Sequence, residues 1–295
     1  MRVFLTGATG FIGSALIPEL LQHGHSVLGL SRSDAGDRAL EALGADAHRG
    51  DLESLDALRA GAREADGVVH CGFIHDFSKF AENCAIDARA IDALADVLAG
   101  SGKPFVVTAG IPGMPGRLAT EDDDLPEDHP MPRVSEQRAL AAAARGVRAS
   151  VVRLPQVHDR DKSGLVPFLI AVARQKGVSA YVGDGANRWA AAHRFATPSL
   201  YRLALEKGVA GARYHAVEEE GLTLKAIAEA IGRGLKVPVV SVSGAEVAAH
   251  FGPLANFATM SNPASSVLTR ERLGWSPGTH PGLIDDLDHS SAWAA

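Results

Sequence analysis

Cysteine is scarce in this chain, with only Cys71 and Cys84 among 295 residues. The pair makes neither a disulfide framework nor a Cys-x-x-Cys metal motif. No two histidines stand four residues apart, so the spacing of a helical zinc site is missing and no metal is expected. Gly-x-Ser-x-Gly is also missing, which argues against a hydrolase built on a nucleophile elbow. No uninterrupted apolar run is long enough to span a bilayer. Positive charge is not in excess either. With 29 Lys and Arg against 35 Asp and Glu, the formal charge is −6, so neither nucleic acid nor an anionic membrane is an expected partner. Met1-Arg2 leads straight into a strand-like segment with no signal-peptide pattern. These absences lead us to expect a cytoplasmic protein with both cysteines reduced and buried. Its expected partner is a small-molecule substrate.

The remaining composition is that of an ordinary globular chain, 46% hydrophobic and 22% charged. Strand and helix signals alternate through its first half. Strands are expected at 2–6, 26–30, 45–49, 67–71, 104–108 and 148–154. Helices are expected at 11–23, 37–43, 55–60, 77–98 and 135–145. Alternation of this kind implies an α/β Rossmann-type fold with a doubly wound parallel sheet, and apolar runs such as Phe105-Val106-Val107 suit strands covered on both faces. After Pro155 the rhythm loosens. We expect residues 1–155 to form the dinucleotide-binding core, with late sheet elements from 190–218. Residues 156–295 are expected to form mainly a small C-terminal substrate lobe, with helices at 165–176, 199–207, 222–234 and 245–251. Thr223 is a candidate cap. The tail, 261–295, is expected to hold turns and one helical piece at 269–273. The acidic stretch Glu121-Asp122-Asp123-Asp124, with Glu127 and Asp128, reads as a solvated loop.

The turn after the first strand carries the clearest chemistry. In Gly7-Ala8-Thr9-Gly10-Phe11-Ile12-Gly13, the first glycine allows a sharp turn, the second a close approach to a pyrophosphate, and the third tight packing of helix on sheet. The helix start then offers unpaired N–H groups to an anion. At the end of the second strand, Leu30-Ser31-Arg32-Ser33 places a guanidinium where NAD sites often carry an acid. Arg32 can fork onto a 2′-phosphate, so NADP(H) is preferred over NAD(H). The other reading makes Arg32 a surface residue and gives the ribose to Asp34.

These residues resemble the glycine signature of the extended short-chain dehydrogenases/reductases, the NAD-dependent epimerase/dehydratase-like branch. The resemblance covers roughly the first two hundred residues. It implies that Asp51-Leu52 lies beside the adenine and that Cys71-Gly72-Phe73 runs past the cofactor. It also implies that Pro155 borders the nicotinamide, and Thr108, at the end of the fifth strand, is a further candidate contact of the cofactor. Gly183-Asp184-Gly185 and His193 resemble the stretch leading into the family's late helix. Helices 77–98 and 135–145 correspond to the pair such proteins use for a homodimer. Ala139 and Ala141 to Ala144 either permit that packing or serve only the sheet. The family's Tyr-x-x-x-Lys is absent. Four residues after Tyr181, Tyr201 and Tyr214 stand Gly185, Leu205 and Glu218. The segment aligned with the dyad, Pro132-Arg133-Val134-Ser135-Glu136, has neither residue, so the chain resembles an atypical member.

A general acid contributes about 10²–10⁴-fold to such a rate, so an enzyme without the dyad needs another donor or a reaction that needs none. His75 is one candidate, with Asp76 either orienting it or capping the helix that follows. His158 is the leading candidate, against the reading of an exposed loop histidine. Thr108 can bond a carbonyl or be merely structural. Asn187, Trp189 and His193 suit a substrate pocket with an aromatic wall, or else Trp189 is buried in the lobe. The expected reaction is hydride transfer to or from a small carbonyl, alcohol or activated alkene. Alternatives are a nucleotide-sugar epimerase or dehydratase, and a non-catalytic NADP(H)-binding sensor or scaffold.

Overall fold

Apolar strands and amphipathic helices alternate through the first half of the chain, and they assemble as that alternation demands. The computed structural model describes residues 1–125 and 131–294. Its first part runs β1 (Arg2–Thr6), α1 (Gly13–Gln22), β2 (Ser26–Ser31), α2 (Asp34–Ala42), β3 (Asp46–Arg49), α3 (Leu55–Glu64), β4 (Gly67–His70), α4 (Phe80–Leu98), β5 (Pro104–Gly110), α5 (Ser135–Ala143) and β6 (Arg148–Leu154). The rest runs β7 (Gln156–His158), α6 (Val166–Lys176), β8 (Ser179–Val182), β9 (Arg188–His193), α7 (Thr197–Lys207), β10 (Arg213–His215), β11 (Glu219–Thr223), α8 (Leu224–Leu235), β12 (Val239–Val242), α9 (Ala245–Phe251), α10 (Ala255–Thr259), α11 (Val267–Leu273) and α12 (Leu283–Asp288). No helix of the described residues is long and apolar enough to cross a membrane.

The large sheet has seven strands in the order β10-β6-β5-β4-β1-β2-β3, and every pairing in it is parallel. From β1 the chain winds outward to β3, then crosses back to place β4 on the other side of β1. At such a reversal, the crevice beyond the carboxyl ends of the strands is where an open α/β sheet binds ligands. Thr6 pairs with His70 as the last register position across it. That pairing sets the glycine turn beside Cys71-Gly72-Phe73.

Both faces of the sheet are covered. Val3, Leu5, Val106 and Val152 pack with Leu16, Leu20 and Leu200 on the face of α1 and α7. Phe4, Val68, Phe105 and Val151 pack with Leu58, Ile91 and Leu94 on the face of α3 and α4. Ala139 and Ala142 are buried in this second cluster. Removing each Leu- or Phe-sized side chain from water contributes about 1.5–3 kcal/mol, which is why both strand faces are apolar.

The lobe has its own core. Trp189, Ile227, Ile231, Phe251 and Leu283 pack together beneath a three-stranded sheet ordered β11-β9-β7 and a two-stranded one of β12 and β8. The segment from Arg188 to His193 is the central strand β9. Its alanines carry little strand preference of their own, and pairing with β7 and β11 supplies it. Of the stretch 190–218, residues 213–215 lie in the large sheet and 190–193 in the small one. The tail holds α12 in addition to α11. Thr223 caps α8 by accepting from the Ala226 N–H.

Candidate functional site

Three glycines shape the turn, each against a different obstacle. Gly7 has φ +66, and a Cβ there would lie 2.7 Å from the Cys71 carbonyl carbon. A Cβ on Gly10 would meet the Gly7 carbonyl oxygen at 2.9 Å, and one on Gly13 the same oxygen at 2.2 Å. Within the turn the Gly10 N–H donates to Gly7 O, and the next amide with a backbone acceptor is that of Ser14. Among the described residues, the N–H groups of Phe11, Ile12 and Gly13 have no hydrogen-bond acceptor, and no side chain caps α1. Thr9 and Gly10 are exposed, and Phe11 and Ile12 half-buried. Free amides at the positive end of a helix, on a backbone that no Cβ crowds, fit the pyrophosphate of a dinucleotide.

Arg194, which sequence reasoning passed over, braces this turn. Its Nε donates to Phe11 O at 2.7 Å and its Nη2 to Ser14 Oγ at 2.8 Å, while Nη1 faces Asp159 at 3.3 Å. No local signal marks it, because Phe11 is 183 positions away.

At the end of β2, Arg32 is exposed and meets no carboxylate within ion-pair distance among the described residues. Asp34, the alternative ribose ligand, receives Arg49 at 2.5 Å, and Arg49 also binds Asp37. The buried Ser31 donates to Ser33 O, and Ser33 caps α2. Asp51 accepts from Glu53 N, Ser54 N and Ser54 Oγ at 2.7–3.0 Å through one oxygen. The Ser54 hydroxyl is the main cause of its lowered pKa. Leu52 is buried against Gly72.

The crevice continues past β4 and β5, where a buried hydrogen-bond chain begins. The Gly72 N–H donates to Thr6 Oγ1, whose own proton has His70 Nδ1 as acceptor at 2.8 Å. His70 Nε2 donates to Asp87 Oδ1 at 3.1 Å, and Ser135 Oγ donates to the other carboxylate oxygen at 2.5 Å. Arg133 Nε donates to Ser135 Oγ at 2.8 Å. Burial alone raises the Asp87 pKa, but His70, Arg133 and Ser135 together hold it below the usual range. Arg133 also donates to Thr108 O and lies 4.2 Å over the Phe73 ring.

The candidates of this region are placed as follows. The Thr108 hydroxyl donates to His70 O and sits 2.7 Å from the Tyr201 hydroxyl, between sheet and α7. Both hydroxyls are committed to one another, so Thr108 does not present its side chain to the crevice. Cys71 is half-buried rather than buried, and desolvation pushes its thiol up to about 11. His75 is exposed beside Phe73, and partial desolvation followed by the Arg133 charge lowers its pKa. Asp76 accepts from Ser78 N and Oγ, capping the short turn Phe77–Lys79 ahead of α4, and does not orient His75. Half-buried Phe77 meets Phe80, Phe168 and Phe257 at 5.2–5.7 Å between centroids, joining the large domain to the lobe. Pro155 is half-buried between β6 and β7. Glu136, in the segment aligned with the missing dyad, points inward onto Arg153 and Arg213.

His158 is not on an exposed loop. It ends β7, 1% exposed, with Nδ1 on Asp286 at 2.7 Å and Nε2 without a hydrogen-bond partner. Around it stand Glu219 and His193, and His193 stacks on His280 at 4.7 Å. None of its contacts involves Thr108, His75 or the aromatic residues. Trp189 is fully buried, donating to Met260 O at 3.2 Å, so it forms no pocket wall. Asn187 is held by Ala258 O and Met260 O. These side chains complete the lobe's interior because each has a backbone partner there. The acidic stretch is not simply solvated. Glu121 is buried under the Thr269 N–H and hydroxyl, and Asp122, Asp123 and Asp124 pair with Arg272, Arg117 and Arg213. Glu127 and Asp128 lie outside the described residues.

Comparison with known proteins agrees with this geometry. An uncharacterized protein of Schizosaccharomyces pombe is 48% identical over 291 residues, covering 97% of this chain and 98% of its own. A 4-hydroxy-2-methyl-3-oxo-4-farnesyl-3,4-dihydroquinoline-1-oxide ketoreductase of Stigmatella aurantiaca is 27% identical, covering 85% and 80%. Among solved structures, a dTDP-glucose 4,6-dehydratase from Streptomyces venezuelae with NAD bound superposes with a TM-score of 0.76 at 20% identity, over 99% of this chain and 96% of that one. The family model for NAD dependent epimerases and dehydratases matches residues 3–216, and the chain belongs to that NAD dependent epimerase/dehydratase family.

Proposed function

We propose that this protein is an NADP(H)-dependent oxidoreductase that transfers a hydride between the nicotinamide and a small carbonyl, alcohol or activated alkene. One observation carries the cofactor preference. At the end of β2, Asp34 is engaged by Arg49, whereas among the described residues Arg32 has no carboxylate within ion-pair distance and Asp51 acts on it only at longer range. A 2′-phosphate supplies the missing anion, and a free ribose hydroxyl does not. Gly7, Thr9, Gly10, Phe11, Ile12 and Gly13 would hold the pyrophosphate. Ser31 and Arg32 would hold the 2′-phosphate, and Asp51 and Leu52 would flank the adenine. Cys71, Gly72 and Phe73 would run beside the nicotinamide. When bound, that ring supplies or accepts two electrons and a hydrogen as hydride. The ketoreductase relative supports a carbonyl substrate.

The test is a fluorescence titration of the protein and of Arg32→Ala with NADPH and with NADH. Charge-assisted bonds of this kind are worth about 1.5–3 kcal/mol, so Arg32→Ala should weaken NADPH roughly 10- to 150-fold and leave NADH unchanged. Equal loss for both cofactors would overturn the preference. NADPH oxidation is then followed with ketones, quinones and enones. The missing Tyr-x-x-x-Lys favours one rival, a cofactor-binding sensor, and tight NADPH binding with no turnover on any of these compounds would establish it.

A further inference from the structure

Half-buried arginines in this protein are neutralised almost everywhere. Arg194 has Asp159, Arg202 has Glu19 and Glu206, and Arg213 has Glu136 and Asp124. Arg133 differs. It lies at the carboxyl edge of β5, and among the described residues no carboxylate pairs with it. Its Nε is fixed on the Ser135 hydroxyl, its Nη2 on Thr108 O, and its plane on the Phe73 ring. Among the described residues its Nη1 has no hydrogen-bond partner. The buried chain through Asp87, His70 and Thr6 ties this guanidinium back to the Gly72 amide beside the glycine turn. One edge of a rigid cation is therefore left open in the crevice, next to half-buried phenylalanines.

We propose that Arg133 is a catalytic residue that binds the oxygen of a flat, apolar carbonyl substrate, taking over the polarising part of the role left by the absent tyrosine. This rests on the oxidoreductase reading above. Guanidinium does not release a proton near neutrality, so Arg133 is not an acid. It is a preorganised donor aimed at charge that develops on oxygen, and loss of one such donor lowers kcat by about 10²–10³. As a hydride from the reduced nicotinamide joins the carbonyl carbon, the C=O π pair moves onto oxygen. The free edge of Arg133 pairs with that oxyanion, which then takes a proton from solvent water. The products are the alcohol, the oxidised cofactor and a hydroxide ion released to solvent. Half-buried Phe73 and Phe77 give this wall an apolar, aromatic surface that suits a flat substrate body better than a diphosphate.

The test reads binding as well as rate. 2-Naphthoate, whose carboxylate stands in for the oxyanion on a flat apolar body, is titrated calorimetrically into protein saturated with NADP⁺. The unmodified protein should bind it. Arg133→Met should weaken it at least about tenfold, with Arg133→Lys recovering only part because the planar fork is lost. NADPH affinity should be the same in all three. With NADPH and 9,10-phenanthrenequinone, Arg133→Met should lower kcat by about 10²–10³. Arg133→Gln serves if the methionine variant does not fold. Unchanged 2-naphthoate binding by Arg133→Met would overturn the proposal. So would an equal loss of NADPH affinity, or no binding of 2-naphthoate by the unmodified protein. Failure of that protein to bind NADPH is a separate readout and would instead overturn the reading on which the proposal rests.

Discussion

Arg153 donates from Nη1 to Nε2 of His215 across 3.2 Å in the protein interior, and this contact decides the state of the imidazole. An Nε2 that accepts from a guanidinium carries no proton, so Nδ1 must donate, and it meets Ser265 O at 2.8 Å. Burial first, and then the Arg153 charge, lowers the His215 pKa to about 3 from 6.5. Between those values the unfolded chain holds a proton that the folded one refuses. The stabilisation is full above pH 6.5 and is lost as pH falls toward 3, by up to about 1.4 kcal/mol per pH unit. Urea titrations at pH 5 and pH 8 should show this slope. In His215→Gln, which keeps a donor and an acceptor, the slope should be shallower. An unchanged slope would mean that other groups carry it.

Gly13 is the most crowded point of the cofactor turn. A Cβ there would lie 2.2 Å from Gly7 O and 2.8 Å from Ala8 Cα, both backbone atoms that cannot rotate away. Gly13→Ala should therefore displace the turn, at a stability cost of about 1–3 kcal/mol. Titration should show at least about tenfold weaker NADPH binding, since the amides of Phe11 and Ile12 move with it. A variant that binds NADPH normally would place the pyrophosphate elsewhere.

The His158–Asp286 contact joins β7 to α12 across 128 positions at 2.7 Å. Asp286→Ala leaves a buried imidazole N–H without an acceptor, and thermal melting should show a loss of about 1–3 kcal/mol. A double-mutant cycle with His158→Ala should return a coupling of about 0.5–3 kcal/mol. Because His158 lies in the lobe interior, His158→Gln should change stability and leave kcat within about tenfold of its original value. A fall of about 10²–10⁴-fold would restore His158 as the proton donor.

The large sheet was legible because its signals are local. Val3-Phe4-Leu5 and Phe105-Val106-Val107 are apolar on both sides of the strand, as only a doubly covered parallel sheet requires. The lobe was less legible. β9 reads Arg188-Trp189-Ala190-Ala191-Ala192-His193, and nothing in that run prefers a strand until β7 and β11 pair with it. Trp189 and Asn187 looked like pocket residues because a polar or aromatic side chain on a loop usually is one. Trp189 turns inward with the strand, and Asn187, just ahead of it, is held by the Ala258 and Met260 carbonyls.

By itself the sequence determined the glycine turn after β1, since Gly10 and Gly13 answer steric limits set within a few residues, and Arg32 follows the strand that presents it. It also determined that the Tyr-x-x-x-Lys dyad is missing. Only the tertiary structure decided which ionisable side chains stay open in the crevice. His158, Thr108 and Asp76 carry suitable chemistry but find partners in Asp286, Tyr201 and Ser78. Among the described residues Arg133 finds a hydroxyl, a carbonyl and a ring but no carboxylate. The energy of a polar group depends on its neighbours in space, and most of these neighbours come from distant parts of the chain.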